Sequence, residues 1–252
     1  MNNILIIGDS CKDIFVYGKI DRICPEAPVP VFNPTHQTEN GGMAKNVAAN
    51  LDTMGASGHL ITNANEIIKT RFVDSKTNAM LLRVDENDST QRIDRDVLMS
   101  ISDNTYKGET FDALIVSDYC KGYLKEEDIK YIAKNNNNVF LDTKKLLGEW
   151  CLDVDFIKIN GVEYEKTKDT IDWDKFDDKL IVTLGEKGCM YKGINYPVPK
   201  VTSVKDLSGA GDTFLAGLVY KYISNGNDID KSIEYAQECA TKVVQQAGVT
   251  TI

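Results

Sequence analysis

The sequence predicts an α/β fold with a mainly parallel sheet covered by helices on both faces. Three features carry this expectation. Short apolar runs end in Gly-Asp or Ser-Asp, as buried strands do when they open onto loops. From Phe111 onward such runs alternate with stretches of helical spacing. The last forty or so residues hold two helical patterns in succession. Strands alternating with helices imply a parallel sheet with ligands at its carboxyl ends.

Asn2 to Gly8 reads as the first strand. Ile14–Ile20 and Val29–Phe32 read as strands within a proline-rich region, where four of the six prolines fall between Pro25 and Pro34. Proline gives no N–H to a ladder, so this region is expected to be an edge ribbon or flap. Ala44, Val47, Ala48, Leu51 and Met54 keep helical spacing after Gly41-Gly42, and Gly55 is a natural stop. Strands are expected at His59–Thr62, Arg71–Val73, Met80–Val84, Ala113–Ser117, Val139–Asp142, Phe156–Ile159 and Leu180–Leu184, with Cys189–Tyr191 pairing nearby. Helices are expected at Lys125–Lys134 and Ala210–Ser224. A last one carries the stripe Ile233, Ala236, Ala240, Val243, Val244 and Ala247. No linker-like stretch divides the chain, so residues 1–252 are expected to form one domain with a small β lid near residues 14–34.

Composition narrows the function. Hydrophobic residues make up 42% and charged residues 27%, which places the 252-residue chain among globular proteins. A net charge of −9 argues against a broad nucleic-acid surface. The first apolar run is too short for a membrane span or a signal-peptide core, so no membrane partner and a cytoplasmic location are expected. The six cysteines are scattered without a C-x-x-C pair, as expected of reduced thiols. With only two histidines, a multi-histidine metal site is not expected.

The chemistry-bearing segment is Asp206-Leu-Ser-Gly-Ala-Gly-Asp-Thr-Phe214. Gly209 and Gly211 flank Ala210 just before a helix, so main-chain N–H groups and the positive end of the helix dipole can converge on an anion. Such an anion hole suits a phosphoryl group in transfer. Asp212, in the first turn, either complements the helix dipole or accepts the proton of an attacking hydroxyl. The dipole is expected to favour its ionised form and make it a weak base. No Walker A motif exists, and Gly209-x-Gly211 lacks the third glycine of a dinucleotide fingerprint.

With these residues in view, the chain resembles the ribokinase-like (PfkB-type) carbohydrate kinases. Asp206–Phe214 is similar to their C-terminal motif. Gly41-Gly42-x-Ala44-x-Asn46 with Gly55-Ala56 is similar to their N-terminal glycine motif. Asn160-Gly-Val-Glu163 resembles their N-x-x-E motif, and Val182-Thr-Leu-Gly185 their nucleotide-site strand end. Arg22–Val31, Ser117–Gly122 and Asp142-Thr-Lys144 resemble the branch acting on D-glycero-D-manno-heptose 7-phosphate.

The resemblance implies a ribokinase-like three-layer sandwich with a β lid, and ATP-dependent phosphorylation of a sugar or phosphosugar, best of all that heptose phosphate at its anomeric hydroxyl. A kinase for another sugar or nucleoside, or a silent sugar- or nucleotide-binding protein, are the alternatives. The resemblance makes Asp212 the catalytic base and Gly209, Ala210 and Gly211 the anion hole. Asp13, Gly42 and Asn46 would hold the sugar, and Arg83 and Lys144 would meet a substrate phosphate. Asn160, Thr183 and Gly185 would serve ATP, and Glu163 would organise Mg²⁺ through water. Asp206 and Ser208 would help hold K⁺. A homodimer through the flap is the expected assembly, and no nucleotidyltransferase domain is expected within the chain. Three departures stand out. Only Asn63–Lys69 separate Thr62 from Thr70, where the family carries a further helix and strand. Val73 replaces a basic residue, and Gln237 replaces an asparagine near the adenine.

Overall fold

The structure is a computed structural model that describes residues 2–199, 204–246, 248 and 250–252. The first strand, β1 (Asn3–Gly8), buries every residue after Asn3. Its side chains alternate between two cores, Leu5 and Ile7 facing one and Ile4 and Ile6 the other. A strand covered on both faces must be apolar throughout, which is why this run lacks the polar alternation of a half-exposed sheet.

The chain then leaves for a second sheet. β2 (Ser10–Ile23) pairs antiparallel with β3 (Pro30–Met43), and both are longer than the runs expected at Ile14–Ile20 and Val29–Phe32. β3 lies at the sheet edge, with Pro30 as its first residue and Pro34 at a register shift, places where a strand accepts proline. α1 (Ala44–Thr53) follows and stops at Gly55, whose φ is +85°. β4 (Ser57–Thr62) returns to the main sheet. Asn63 to Glu66 alone link it to β5 (Ile67–Asp74), which pairs parallel with β2 and antiparallel with β6 (Met80–Glu86). The lid is therefore a four-stranded sheet in the order β3-β2-β5-β6 rather than a two-stranded ribbon.

After the short α2 (Arg95–Met99) and the small hairpin β7 (Thr105–Tyr106) and β8 (Glu109–Thr110), the chain alternates as expected. β9 (Ala113–Asp118), α3 (Glu126–Asn135), β10 (Val139–Thr143), β11 (Phe156–Asn160), α4 (Gly161–Thr167) and β12 (Leu180–Thr183) come in succession. β13 (Cys189–Tyr191) and β14 (Ile194–Tyr196) extend the sheet antiparallel. Its order is β14-β13-β12-β11-β10-β9-β1-β4, and the six strands from β12 to β4 are parallel.

α5 (Ala210–Ser224) and α6 (Ile229–Val243) close the fold. α1, α5 and α6 cover one face of the large sheet, and α2 and α3 cover the other. Of the stripe expected for the last helix, Val244 caps α6, and Ala247 lies outside the described residues. Among the described residues, no helix is long and apolar enough to cross a membrane.

Phe140 is fully buried at the centre of the sheet, stacked on Phe156 at 5.2 Å and met edge-on by Tyr222 at 5.3 Å. Phe140→Ala is expected to lower stability by about 3–5 kcal/mol in urea denaturation, since the rings around it cannot collapse into the cavity.

Candidate active site

The cleft lies where the carboxyl ends of β1, β9, β10, β11 and β12 face the lid and the mouth of α5. The loop after β9 is held there by Asp9, which has no solvent exposure. Its carboxylate accepts the backbone N–H groups of Tyr119 (2.7 Å), Lys121 (3.2 Å) and Tyr123 (3.3 Å). Burial, joined by the nearby Asp118, pushes the Asp9 carboxyl above its ordinary range, against the pull of these three donors. Asp118 is bound in turn by Thr143 and Lys145, each at 2.6 Å.

This scaffold carries Tyr119 to Asp212. The Tyr119 hydroxyl donates to Asp212 Oδ1 at 2.6 Å, and Asn46 Nδ2 donates to Oδ2 at 3.0 Å. Asp212 is 5% exposed. The expectation of a weak base stabilised by the helix dipole is corrected by this burial. Desolvation raises the Asp212 carboxyl and Asp142 adds to the rise, while Tyr119, Asn46 and Lys158 draw it down, and the rise prevails. The Tyr119 phenol is held far above its ordinary range, chiefly by burial and by the Asp212 charge, so it stays a neutral donor.

Gly209 begins α5 in the left-handed region at φ +79°. Ala210 N–H is taken by Leu207 O at 3.3 Å, and Thr213 N–H by Gly209 O at 2.9 Å. The N–H groups of Gly209, Gly211 and Asp212 have no partner among the described residues. A Cβ on Gly211 would stand 3.0 Å from Lys158 Nζ.

Lys158 is 4% exposed and pairs in register with Asp142 across β10 and β11, Nζ to Oδ2 at 2.7 Å. Lys144 takes Asp142 Oδ1 at 3.4 Å and Glu163 Oε1 at 2.6 Å. Glu163 closes a capping box with Asn160, accepting its N–H at 2.7 Å and its Nδ2 at 2.8 Å. Burial works against the charge of Asp142, but the two lysines overcome it and hold the carboxyl below its ordinary value. These saturated carboxylates leave no open pair for a direct metal cage, and the described residues hold no cluster of three His, Cys, Asp or Glu suited to one. They fit a Mg²⁺ that keeps its waters and rides on nucleotide phosphates.

On the lid side, a Cβ on Gly42 would collide with the Asp13 carboxylate and with Cys11 Sγ. Asp13 is ion-paired with Arg71, whose guanidinium lies 5.0 Å from the Phe15 ring centroid. The two cations expected to meet a substrate phosphate are already neutralised: Lys144 by Asp142 and Glu163, and Arg83 by Asp85 at 2.6 and 2.7 Å. On the other flank, Thr183 donates to Ile159 O at 3.2 Å, and Gly185 turns at φ +60°. Gln237 holds Tyr196 O at 2.6 Å. Asp206 accepts the N–H of Ser208 (2.8 Å) and of Gly248 (3.1 Å), tying that loop to the end of the chain.

Sequence reasoning missed Asp9, Arg71, Tyr119 and Lys158. Tyr119 lies inside the quoted Ser117–Gly122 segment, and Lys158 stands two residues before Asn160. Position gave a signal for these two, although their side chains did not.

A doubly wound sheet with a buried carboxylate beside open helix N–H groups defines a group-transfer enzyme acting on an anion. The family model of the pfkB family carbohydrate kinases matches residues 109–252, and the chain belongs to that family of ATP-dependent sugar kinases. The bifunctional protein HldE of Campylobacter jejuni subsp. doylei is 30% identical over an alignment covering 99% of this chain and 62% of the relative. The HldE protein of Nitratiruptor sp. is 30% identical over 98% of this chain and 62% of the relative. The chain thus spans about three-fifths of the length of these curated relatives.

Among solved structures, ribokinase from Thermotoga maritima superposes with a TM-score of 0.70 at 17% identity, over 99% of this chain and 95% of that one. Phosphofructokinase-2 from Escherichia coli in complex with potassium superposes with a TM-score of 0.71 at 13% identity, over 99% and 94%. These likenesses establish the ribokinase-like fold.

Asp142→Asn is expected to lower stability by about 3–5 kcal/mol at pH 7, because it leaves buried Lys158 without its counter-charge. Because the Asp142 carboxyl is depressed, its contribution is complete above the ordinary carboxyl value of 3.8 and fades as pH falls through its lower folded value. Thermal melts across pH 2.5–7 should therefore show a flatter acid limb in the variant than in the wild type.

Proposed function

We propose that this chain transfers the γ-phosphoryl group of ATP to a sugar hydroxyl, with D-glycero-D-manno-heptose 7-phosphate as acceptor and the 1,7-bisphosphate as product. The observation that carries this reading is the Asp212 carboxylate, desolvated and clasped by Asn46 and Tyr119 beside the unpartnered N–H groups of Gly211 and its own main chain. The 30% identity to HldE over nearly the whole chain supports the choice of acceptor.

In this reading Asp13, Gly42 and Asn46 hold the sugar with its reactive hydroxyl toward Asp212. As the bond from the γ-phosphorus to the β–γ bridging oxygen breaks and the new one to the sugar oxygen forms, the hydroxyl proton passes to Asp212. A raised carboxyl pKa makes Asp212 a better proton acceptor than a surface aspartate. The α5 amides and the Lys158 ammonium balance charge on the phosphoryl oxygens. Mg²⁺, when bound with ATP, supplies charge neutralisation on the phosphates, and Glu163 and Asn160 orient its water. Thr183 and Gly185 line the nucleotide, and Asp206 and Ser208 would be the residues to hold a K⁺ ion. The lid excludes water from the transfer.

We extend the proposal to one kinase domain over residues 1–252 and to a homodimer through the outer face of the lid. On that face Leu82 and Val84 are exposed, Leu82 by 56%. A second lid laid on that face would take both side chains out of water.

Asp212→Asn is expected to lower kcat by about 10²–10⁴-fold while the stabilisation by sugar and by a non-hydrolysable ATP analogue persists. Undiminished turnover would remove Asp212 from the mechanism. Tyr119→Phe deletes a hydrogen bond that draws the Asp212 carboxyl down, so the acidic limb of kcat/KM against pH should move to higher pH. An unmoved limb would separate Tyr119 from the base.

A further inference from the structure

One face of the lid sheet looks into the acceptor side of the cleft. Strand register sets Asp13 opposite Lys69, Phe15 opposite Arg71, Lys69 opposite Asp85 and Arg71 opposite Arg83. Five charged side chains therefore share that face, three cationic and two anionic. Arg71 is committed to Asp13, and Arg83 to Asp85 through two hydrogen bonds. Across the cleft mouth, Lys121 is paired with Asp88 at 2.5 Å.

Lys69 remains over. It is 7% exposed, and among the described residues its ammonium has neither a carboxylate partner nor a hydrogen-bond acceptor. Its Nζ lies over the Tyr119 ring, 5.9 Å from the centroid, and the Tyr119 hydroxyl bonds Asp212. Cys11 on β2 is its other neighbour, with a thiol pushed up to about 12, chiefly by burial, so it supplies no counter-charge at neutral pH.

A buried ammonium without an acceptor is unfavourable, and proteins ordinarily pair such a group. Desolvation, with Lys121 and Arg83 as like charges, draws the Lys69 ammonium below its ordinary range against the weaker upward pull of Asp13. The ammonium therefore lacks a direct counter-charge until an anion reaches it. Every carboxylate of the lid face is engaged elsewhere, and Tyr119 separates Lys69 from Asp212, so the anion must come from outside the chain. The opening available to it is the acceptor side, next to Asp13 and Gly42.

We propose that Lys69 is the specificity residue for an anionic substituent on the acceptor sugar, a phosphate or a carboxylate, docked against the inner lid face one residue-width from Asp13. This rests on the kinase reading above and moves the anion contact from Arg83 and Lys144 to Lys69. The recognised chemistry is one negative group on a polyol, distant along the sugar from the hydroxyl that Asp212 serves. A neutral sugar would leave the ammonium unsatisfied and so be selected against, the same asymmetry by which unpaired polar groups reject incomplete ligands.

The test compares kcat/KM for D-glycero-D-manno-heptose 7-phosphate, D-mannose 6-phosphate, D-mannuronate and D-mannose in the wild type, Lys69→Met and Lys69→Arg. The wild type should prefer an anionic acceptor to D-mannose. In Lys69→Met that preference ratio should fall by about 10–100-fold, the loss of one charge-assisted hydrogen bond, and Lys69→Arg should restore part of it. Preference for the phosphosugars or for the uronate identifies the anion. Lys69→Met should melt no lower than the wild type, because it removes an unsatisfied charge while keeping the apolar stem. A lysine with a purely structural role would instead lower Tm and depress all acceptors alike, and that result, or a wild type that prefers D-mannose, overturns the inference.

If no acceptor is turned over, the kinase reading fails on its own terms, and the thermal shift given by D-mannose 6-phosphate over D-mannose decides the matter. A shift present in the wild type and lost in Lys69→Met sustains the role of Lys69. Equal shifts in both proteins, or none in either, reject it.

Discussion

Asp212 is sealed from water yet bonded through both oxygens, and the rest of the cleft is arranged around that constraint. A carboxylate this deep must be either neutral or supplied with donors. Asn46 reaches it from α1 and Tyr119 from the loop after β9, so three elements far apart in the chain meet on one group. The loop can hold Tyr119 there only because Asp9, at the end of the first strand, gathers three of its main-chain N–H groups. The first acid of the chain thus positions the partner of the last functional one.

Charge is layered across the cleft in alternating sign. From the mouth of α5 outward the order is Lys158, Asp142, Lys144 and Glu163, each pair joined by a direct contact. The ladder links the helix N–H groups to the capping box of α4, so the residues assigned to the phosphoryl group and those assigned to its metal share one electrostatic network. Truncating Asp142 or Lys144 leaves two like charges facing one another, which accounts for a lysine at Lys158, a β11 position that would otherwise be aliphatic.

Much of this was legible in the order of residues. The spacing that predicts a helix over Ala210–Ser224 matches α5 at both ends, because Gly209 needs a left-handed backbone and the apolar stripe has no competing reading. The sheet was legible because buried strands carry unbroken apolar runs. The lid was only half legible: β2 and β3 extend well past their apolar cores through polar residues such as Asn40 and Lys12, which a sheet with one exposed face accepts. Lys69 and Lys158 were hidden for the opposite reason. A lysine inside a strand reads as a solvated interruption until register sets Lys158 against Asp142 and leaves Lys69 without a counter-charge. The basicity of Asp212 was misread because burial, which raises its carboxyl, is not a local property of the chain.

β4 marks the outer limit of the large sheet, bordering a groove of about 1040 Å³ formed in part by the short link after Thr62. Such a rim is ordinarily a template on which strands of other molecules polymerise. Here Gly58 gives its N–H to the Asp52 carboxylate at 3.1 Å, and His59 is tied to Glu109 at 3.1 Å. An incoming strand must evict a carboxylate before it can zip along the rim. The outermost strand of the sheet therefore carries its own guard against templated aggregation.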